Sequence, residues 1–288
     1  DIFEEHGMPY PRTFDETIAA ARAIHRPDRE QYGISWNAAP GMPIAHSFMF
    51  FLASSQGSVI EIPHKHDNWM EGIQSGDIRL SINSPEGLAV IDYMRRLVRV
   101  SPPGIETFDG EHNLDCFMAG HAAMSYVWTM RAARLEHELS SRVKRRVAYL
   151  TPPVLRGNQV TAPVGGFLLT IPAYVNEAHK REVINAISWM ASPEAMKAHV
   201  KNGFPVAPRF SVCADPEALA SSPIVRFVDR MARRHELNTW SRPPVPAYVE
   251  IERALGAEIF AAVFQKKPPR NALEDAENAI YRSIRALA

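Results

Sequence analysis

Hydrophobic residues near the start of the chain recur at the spacing of an α-helix. Phe14 and Ile18 lie four positions apart, and further apolar residues follow them at helical spacing. Thr13 and Glu16 form the pattern of a capping box, in which the two side chains bond each other's backbone N–H groups. The pattern predicts a helix that ends near Pro27.

Similar patterns predict further helices. Ser84 is followed by a proline and a glutamate, a typical helix start, and this helix should stop before Pro102. Residues 47–53 are apolar except for Ser47, which favours a buried helix over a strand. Two amphipathic helices are predicted near the C-terminus, at residues 249–264 and 272–287.

Short segments between these helices have the composition or the alternation of β-strands. They are residues 31–36, 78–82, 122–128, 146–150 and 166–171. Strands that alternate with helices usually form a largely parallel sheet covered by helices. The order of elements therefore predicts an α/β fold.

The composition and charge of the chain limit the kinds of partner that it is expected to bind. The chain has 288 residues, of which 46% are hydrophobic and 22% charged, as in an ordinary globular protein. Its 32 basic residues balance 32 acidic ones, so the excess of positive charge typical of nucleic-acid binding is missing. No apolar run approaches the ~20 residues of a membrane-spanning helix, so direct insertion into a membrane is not expected. A small or neutral partner fits these features.

One group of residues suggests metal chemistry. His64, His66, Asp67, Glu111 and His112 are all possible metal ligands, and they lie in two loops. Three or four converging ligands are needed for zinc, and spacing alone does not show that the two loops meet. The group leaves open a metal-dependent hydrolase as an alternative function.

Several separated segments resemble motifs of the extracellular solute-binding protein family 1, the carbohydrate and polyol receptors of ABC importers. Residues 1–7 (DIFEEHG) and 13–16 (TFDE) look like the family's "DLFEEAG…P.TWDE" stretch. Residues 117–124 (FMAGHAAM) look like its "F..GKAAM" element, and residues 165–171 (GGFLLTI) like its glycine pair and strand. Weaker similarities follow in the family's order at residues 187–190, 203–209, 215–216 and 271–276.

The resemblance implies a fold of the periplasmic-binding-protein type II, with a parallel-rich sheet flanked by helices. In the family the opening motif lies well inside the chain, just beyond the first crossing between two lobes, whereas here it begins at residue 1. Residues 1–162 and 212–288 would then form the C-terminal lobe. Residues 163–211 would be a segment returning to the N-terminal lobe, the rest of which is absent.

The resemblance also implies a ligand pocket, since a sugar receptor needs aromatic faces and fixed polar groups in a cleft. The family's pocket positions correspond to His46, Ser47, Phe48, Trp128, Met130, Gly165, Gly166, Arg209, Trp240 and Tyr248. Structural roles stay open for several of them. His46 could be a local hydrogen-bonding histidine, and Phe48 lies in an apolar run. Arg209 could cap a helix or pair with an acid, and Tyr248 could hold the proline-rich turn to the next helix.

These observations predict a receptor and not an enzyme, with no cofactor. Its partners would be a small-molecule sugar or polyol and the membrane permease of an ABC importer, with no role for nucleic acid. Its location would be the periplasm, or the cell exterior with a membrane tether.

Overall fold

The computed structural model describes residues 1–61, 71–72, 75, 77–157, 159–166, 168–238, 242–243 and 245–286. These residues divide into two compact units. The first unit comprises Asp1–Val127, Thr151–Val164 and Leu237–Ala288, and the second comprises Trp128–Leu150 and Gly165–Glu236. Each unit is described by itself.

Thirteen α-helices and six short strands occur in the described ranges. The helices are α1 Ile2–Glu5, α2 Phe14–Ile24, α3 Met42–Ser54, α4 Pro85–Val98, α5 Gly110–Met118, α6 Thr129–His137, α7 Glu177–Met190, α8 Pro193–Lys201, α9 Phe210–Cys213, α10 Pro216–Ser221, α11 Pro223–Arg233, α12 Tyr248–Phe264 and α13 Pro269–Arg285. The strands are β1 Tyr32–Ser35, β2 Ile60–Glu61, β3 Arg79–Leu80, β4 Ala122–Ser125, β5 Ala162–Pro163 and β6 Leu237–Asn238.

Local sequence explains where the best-defined helices begin. At α2 the Thr13 hydroxyl accepts a hydrogen bond from the Glu16 backbone N–H, and the Glu16 carboxylate accepts one from the Thr13 N–H, both at 3.2 Å. At α4 the Ser84 hydroxyl accepts a hydrogen bond from the Gly87 N–H. The predicted helix starts at both places are confirmed.

Strand β1 lies parallel to β4, with Ile34 opposite Met124, and both α2 and α5 contact this pair. Gly33 allows α2 to approach closely, because a Cβ atom at this position would lie 2.4 Å from the Ala21 carbonyl oxygen. Strands β5 and β6 are also parallel, whereas β2 and β3 are antiparallel. Parallel strands flanked by helices confirm the predicted α/β class.

The core of the first unit lies between helices. Helix α12 packs on α13, α3 and α4, and the side chains in this core include Phe48, Ile91 and Leu255, which are fully buried. Helix α3 contains the apolar run at residues 47–53, so the preference for a buried helix there was correct. The two C-terminal helices are confirmed as well, and α13 begins three residues before its predicted start.

Two predicted strands do not form. Residues 146–150 have no regular secondary structure, and neither do the described residues of the segment 166–171. A strand needs a neighbour that supplies its backbone hydrogen bonds, and the ladders in the described part of the chain join other segments. The sequence preference for extended backbone was not sufficient on its own.

The second unit has a small core and a large exposed apolar surface. Its core is formed by side chains from α8 to α11, among them Val200, Val212 and Val225. Helix α7 contains no buried residue. The exposed apolar side chains on and near this helix are Leu168, Leu169, Tyr174, Ile184, Trp189 and Met190.

The compact units differ from the predicted lobes in their boundaries. Residues 128–150 and 212–236, which the prediction grouped with the C-terminal lobe, belong to the second unit together with residues 165–211. The physical reason is packing, because α11 contacts α6, α9 and α10 within that unit. The assignment of these segments to lobes stays a prediction.

Candidate functional site

The carboxyl end of β1 leads directly into the loop that contains Asn37. Trp36, fully buried just after the strand, donates a hydrogen bond from Nε1 to the Ser101 hydroxyl at 3.1 Å. Asn37 follows, and its backbone carbonyl accepts a hydrogen bond from the Ser47 hydroxyl at 2.7 Å. The Asn37 Oδ1 atom is buried and has no hydrogen-bond partner among the described residues. Ligand sites in α/β folds often lie at such strand ends.

Helix α3 carries His46 against the first turns of α12. The His46 Nε2 atom lies 2.7 Å from Oε2 of Glu252 and 3.1 Å from the hydroxyl oxygen of Tyr248. Tyr248 and Glu252 are four residues apart, so both point from the same face of α12. The side chains of His46 and Glu252 are 22% and 18% exposed, so the cluster is half-buried but reachable from solvent.

The surroundings of this cluster shift the pKa values of His46 and Tyr248. Burial lowers the pKa of His46, the charge of Arg242 lowers it further, and Glu252 opposes both by hydrogen bonding and attraction. Burial also raises the pKa of Tyr248 to about 12. A neutral imidazole and a neutral phenol therefore lie beside a carboxylate. Such groups can donate to and accept from ligand hydroxyls.

Two other predicted site residues of the first unit have structural partners. Phe48 is fully buried in the core of the first unit, so its ring face is covered by other side chains. Ser47 is buried too, and its hydroxyl holds the loop that contains Asn37. Among the predicted residues of α3, His46 is thus the one with an accessible polar group.

The predicted site residues of the second unit are mostly exposed. Trp128 is 43% exposed, and Gly165 lies against its indole, since a Cβ atom there would be 3.4 Å from Cζ2. Met130 is exposed in the first turn of α6, and a Cβ atom at Gly166 would meet open space. Arg209 donates from Nε to the Ala191 carbonyl at 2.6 Å, which is a local structural bond.

Several predicted ligand-binding and metal-binding residues lie outside the described residues. This holds for Trp240 and for the possible metal ligands His64, His66 and Asp67. The remaining histidine of that group, His112, lies in the first turn of α5, where its Nδ1 atom is 2.8 Å from Oδ1 of Asp109, the residue that caps the helix.

Hydrogen bonds from the backbone N–H and side chain of His112 lower the pKa of the Asp109 carboxyl. No set of three or more histidine, cysteine, aspartate or glutamate side chains converges on a possible metal position within the part of the chain that the structure describes.

Glu252 and Asn37 were missed by the sequence analysis. A signal for Glu252 was present, because it lies one helical turn after Tyr248 and must share its helix face. For Asn37 the signal was its position directly after a predicted strand. Neither signal identifies the contacting residue, which is His46 for Glu252 and Ser47 for Asn37.

Comparison with known proteins identifies the family. The family described as bacterial extracellular solute-binding protein matches residues 1–197. The chain belongs to this family, and the resemblance found from the sequence motifs is confirmed.

Among the described helices, none has both the length and the apolar character required to cross a membrane.

Solved structures agree with the family and the fold. An ABC transporter solute-binding protein from Agrobacterium radiobacter, in complex with ribitol, has a TM-score of 0.83 and 26% identity, covering 100% of this chain and 67% of that chain. Maltose-bound MalE3 from T. maritima has a TM-score of 0.82 and 22% identity, covering 98% and 68%.

A D-mannitol-bound solute-binding protein from Agrobacterium vitis has a TM-score of 0.74 and 19% identity, covering 100% and 70%. The solved chains are therefore longer than this one. Two of the three are described as solute-binding proteins of ABC transporters.

Proposed function

We propose that this chain is part of a receptor that binds a carbohydrate or polyol and delivers it to the permease of an ABC importer. The observation that carries the proposal is the cluster of His46, Tyr248 and Glu252, which offers neutral and anionic hydrogen-bonding groups at a half-buried position. The ribitol complex of the Agrobacterium radiobacter relative supports this class of ligand.

The chemistry of the proposed pocket suits an uncharged, hydroxyl-rich ligand. Hydroxyl groups need both donors and acceptors, which imidazole, phenol and carboxylate groups supply together. The exposed indole of Trp128 offers an apolar face for the C–H surface of a sugar or polyol. In the proposed receptor, Trp128 and Gly165 would offer this apolar surface to the ligand.

The proposal includes two lobes, with residues 1–162 and 212–288 in the C-terminal lobe and residues 163–211 returning to the N-terminal lobe. Support comes from the exposed apolar side chains of this returning segment, such as Leu168 and Trp189, which are 90% and 70% exposed. Apolar surface of this extent commonly marks a binding interface. In a longer receptor, the remainder of the N-terminal lobe would cover it, and ligand would be held between the lobes.

The proposed location is the periplasm or the cell exterior, in keeping with a bacterial extracellular family. The proposed role is binding and transport without catalysis. Closure of two lobes over the ligand would create the surface that the permease recognises, because a ligand that contacts both lobes stabilises the closed form.

Isothermal titration calorimetry tests the proposal. The receptor encoded by the full gene is titrated with ribitol, D-mannitol and maltose, and the present chain is titrated in parallel. We expect the full receptor to bind at least one of these three ligands, and the present chain to bind it far more weakly. A full receptor that is folded and binds none of them would refute the proposed ligand class.

A further inference from the structure

The hydrogen bonds of His46 are concentrated on one of its two ring nitrogens. Both Glu252 and Tyr248 contact Nε2, at 2.7 and 3.1 Å. Within the described residues, Nδ1 has no hydrogen-bond partner. The Nε2 atom therefore bonds two side chains of α12, whereas the Nδ1 atom is available to bond a ligand.

The contact with Glu252 fixes where the imidazole proton lies. An ionised carboxylate only accepts hydrogen bonds, so an oxygen atom 2.7 Å from Nε2 requires a proton on that nitrogen. With Nε2 protonated, neutral His46 must carry its lone pair on Nδ1. Glu252 thus determines the tautomer of a histidine on another helix.

We infer that Glu252 is a positioning residue that holds His46 in the Nε2–H tautomer, so that Nδ1 accepts a hydrogen bond from a hydroxyl group of the ligand. This inference rests on the proposed function and narrows it. The ligand presents a hydroxyl donor to Nδ1, and this direction of the hydrogen bond requires His46 to be neutral. Protonation converts Nδ1 into a donor, so the hydroxyl must turn and accept instead, which weakens binding of a ligand whose hydroxyl is positioned to donate.

The charged and titratable groups around His46 act in opposite directions. Helix α12 supplies Tyr248 and Glu252, and the segment before it supplies Arg242. Burial and Arg242 favour the neutral imidazole, whereas Glu252 favours the protonated one, and the net effect is a lowered pKa. Neutral His46 is therefore the dominant form at pH 7, and removal of the Glu252 charge should lower its pKa further.

Nuclear magnetic resonance of the histidine ring nitrogens tests the tautomer without any ligand. The variant is Glu252→Gln, since an amide both donates and accepts and cannot fix the proton on Nε2. The matched control is Glu250→Gln on the same helix, because Glu250 pairs with Arg253 and not with His46. We expect the Nε2–H form in the wild type and the control, and a mixture of forms in Glu252→Gln.

Binding of ribitol by the full receptor tests whether the tautomer of His46 affects the affinity for ligand. We expect Glu252→Gln to weaken binding in proportion to the Nε2–H tautomer that it loses, about twofold for an equal mixture of the two forms. Wild-type affinity should fall at a pH below the ordinary histidine pKa of 6.5, and this fall should shift to still lower pH in Glu252→Gln. The Glu250→Gln control should keep the wild-type affinity and pH profile, and circular dichroism verifies that each variant is folded.

The possible failures are distinguishable. An Nδ1–H tautomer in the wild type, or an unchanged tautomer in Glu252→Gln, overturns the positioning role whatever the ligand. Wild-type affinity retained in Glu252→Gln overturns the ligand contact but leaves the receptor function intact. A wild-type receptor that binds no sugar or polyol overturns the proposed function and, with it, the ligand part of this inference.

Discussion

Gly256 in α12 lies directly against Gly41, the residue before α3. A Cβ atom at Gly256 would come within 2.5 Å of the Gly41 carbonyl oxygen, a distance that backbone atoms do not tolerate. Gly41 itself has a φ of 81°, a conformation that favours glycine. This close approach sets the separation of the two helices that carry His46 and Glu252.

Substitution of Gly256 by alanine should destabilise the protein. An exposed helical glycine usually gains stability on this change, but here the helices must move apart, and overpacking of this kind costs about 1–3 kcal/mol. Urea denaturation measures the change in free energy of unfolding. The control is Ala257→Gly at the neighbouring, exposed position. It measures how much the difference in helix propensity between alanine and glycine contributes to the free energy of unfolding. A stabilised Gly256→Ala variant would contradict the close contact.

The hydrogen bond from Trp36 to Ser101 predicts a second effect on stability. Ser101→Ala leaves the buried indole N–H without its acceptor, and an unsatisfied buried donor costs about 1–3 kcal/mol. The control is Ser54→Ala, whose hydroxyl bonds a carbonyl of its own helix, and its effect should be smaller. Equal losses in the two variants would show that the indole N–H does not depend on Ser101.

The hydroxyl groups of Tyr93 and Tyr126 lie 2.6 Å apart in the core, which predicts a loss of stability at alkaline pH. Burial raises the pKa of both groups above the ordinary value of 10, so the folded state keeps protons that the unfolded state releases. Stability should be full below pH 10 and fall as the pH rises above it. Denaturation at several pH values measures the slope.

Two variants test whether the tyrosine pair causes this pH dependence of stability. Tyr126→Phe changes the pair, and Tyr10→Phe is its control. Tyr126→Phe removes one of the two buried hydroxyls and should make the alkaline loss shallower, whereas Tyr10 is an exposed tyrosine of the same unit and serves as the control. An unchanged slope in Tyr126→Phe would argue against burial of this hydroxyl pair.

The apolar surface of the second unit predicts binding of a hydrophobic dye. The double variant Leu168→Ser and Trp189→Gln should bind less dye than the wild type, with unfolding free energy within about 0.5 kcal/mol, because both side chains are exposed. Leu139→Ser, at an exposed leucine outside this surface, is the control. In the full receptor the wild-type sequence should bind little dye, and strong binding there would contradict the proposed covering lobe.

The sequence predicted the helices better than the short strands. Helix α2 was predictable because its cap and its apolar face lie within twelve residues of one another, so local hydrogen bonds and one buried face define it. Residues 146–150 have the composition of a strand, yet they remain irregular, because a strand depends on a neighbour from elsewhere in the chain. The site was only partly predictable for the same reason, because the contact between His46 and Glu252 joins distant parts of the chain.

By itself the sequence determined the α/β class, the family and the candidate residues His46 and Tyr248, since periodicity, capping and motif order are properties of the linear chain. Only the tertiary structure decided that Phe48 belongs to the core and that Glu252 contacts His46 across a separation of 206 residues. The physical reason is that helix packing brings these residues together. The packing of α12 on α3 depends on Gly256 and Gly41, and neither partner's local sequence encodes the distance between them.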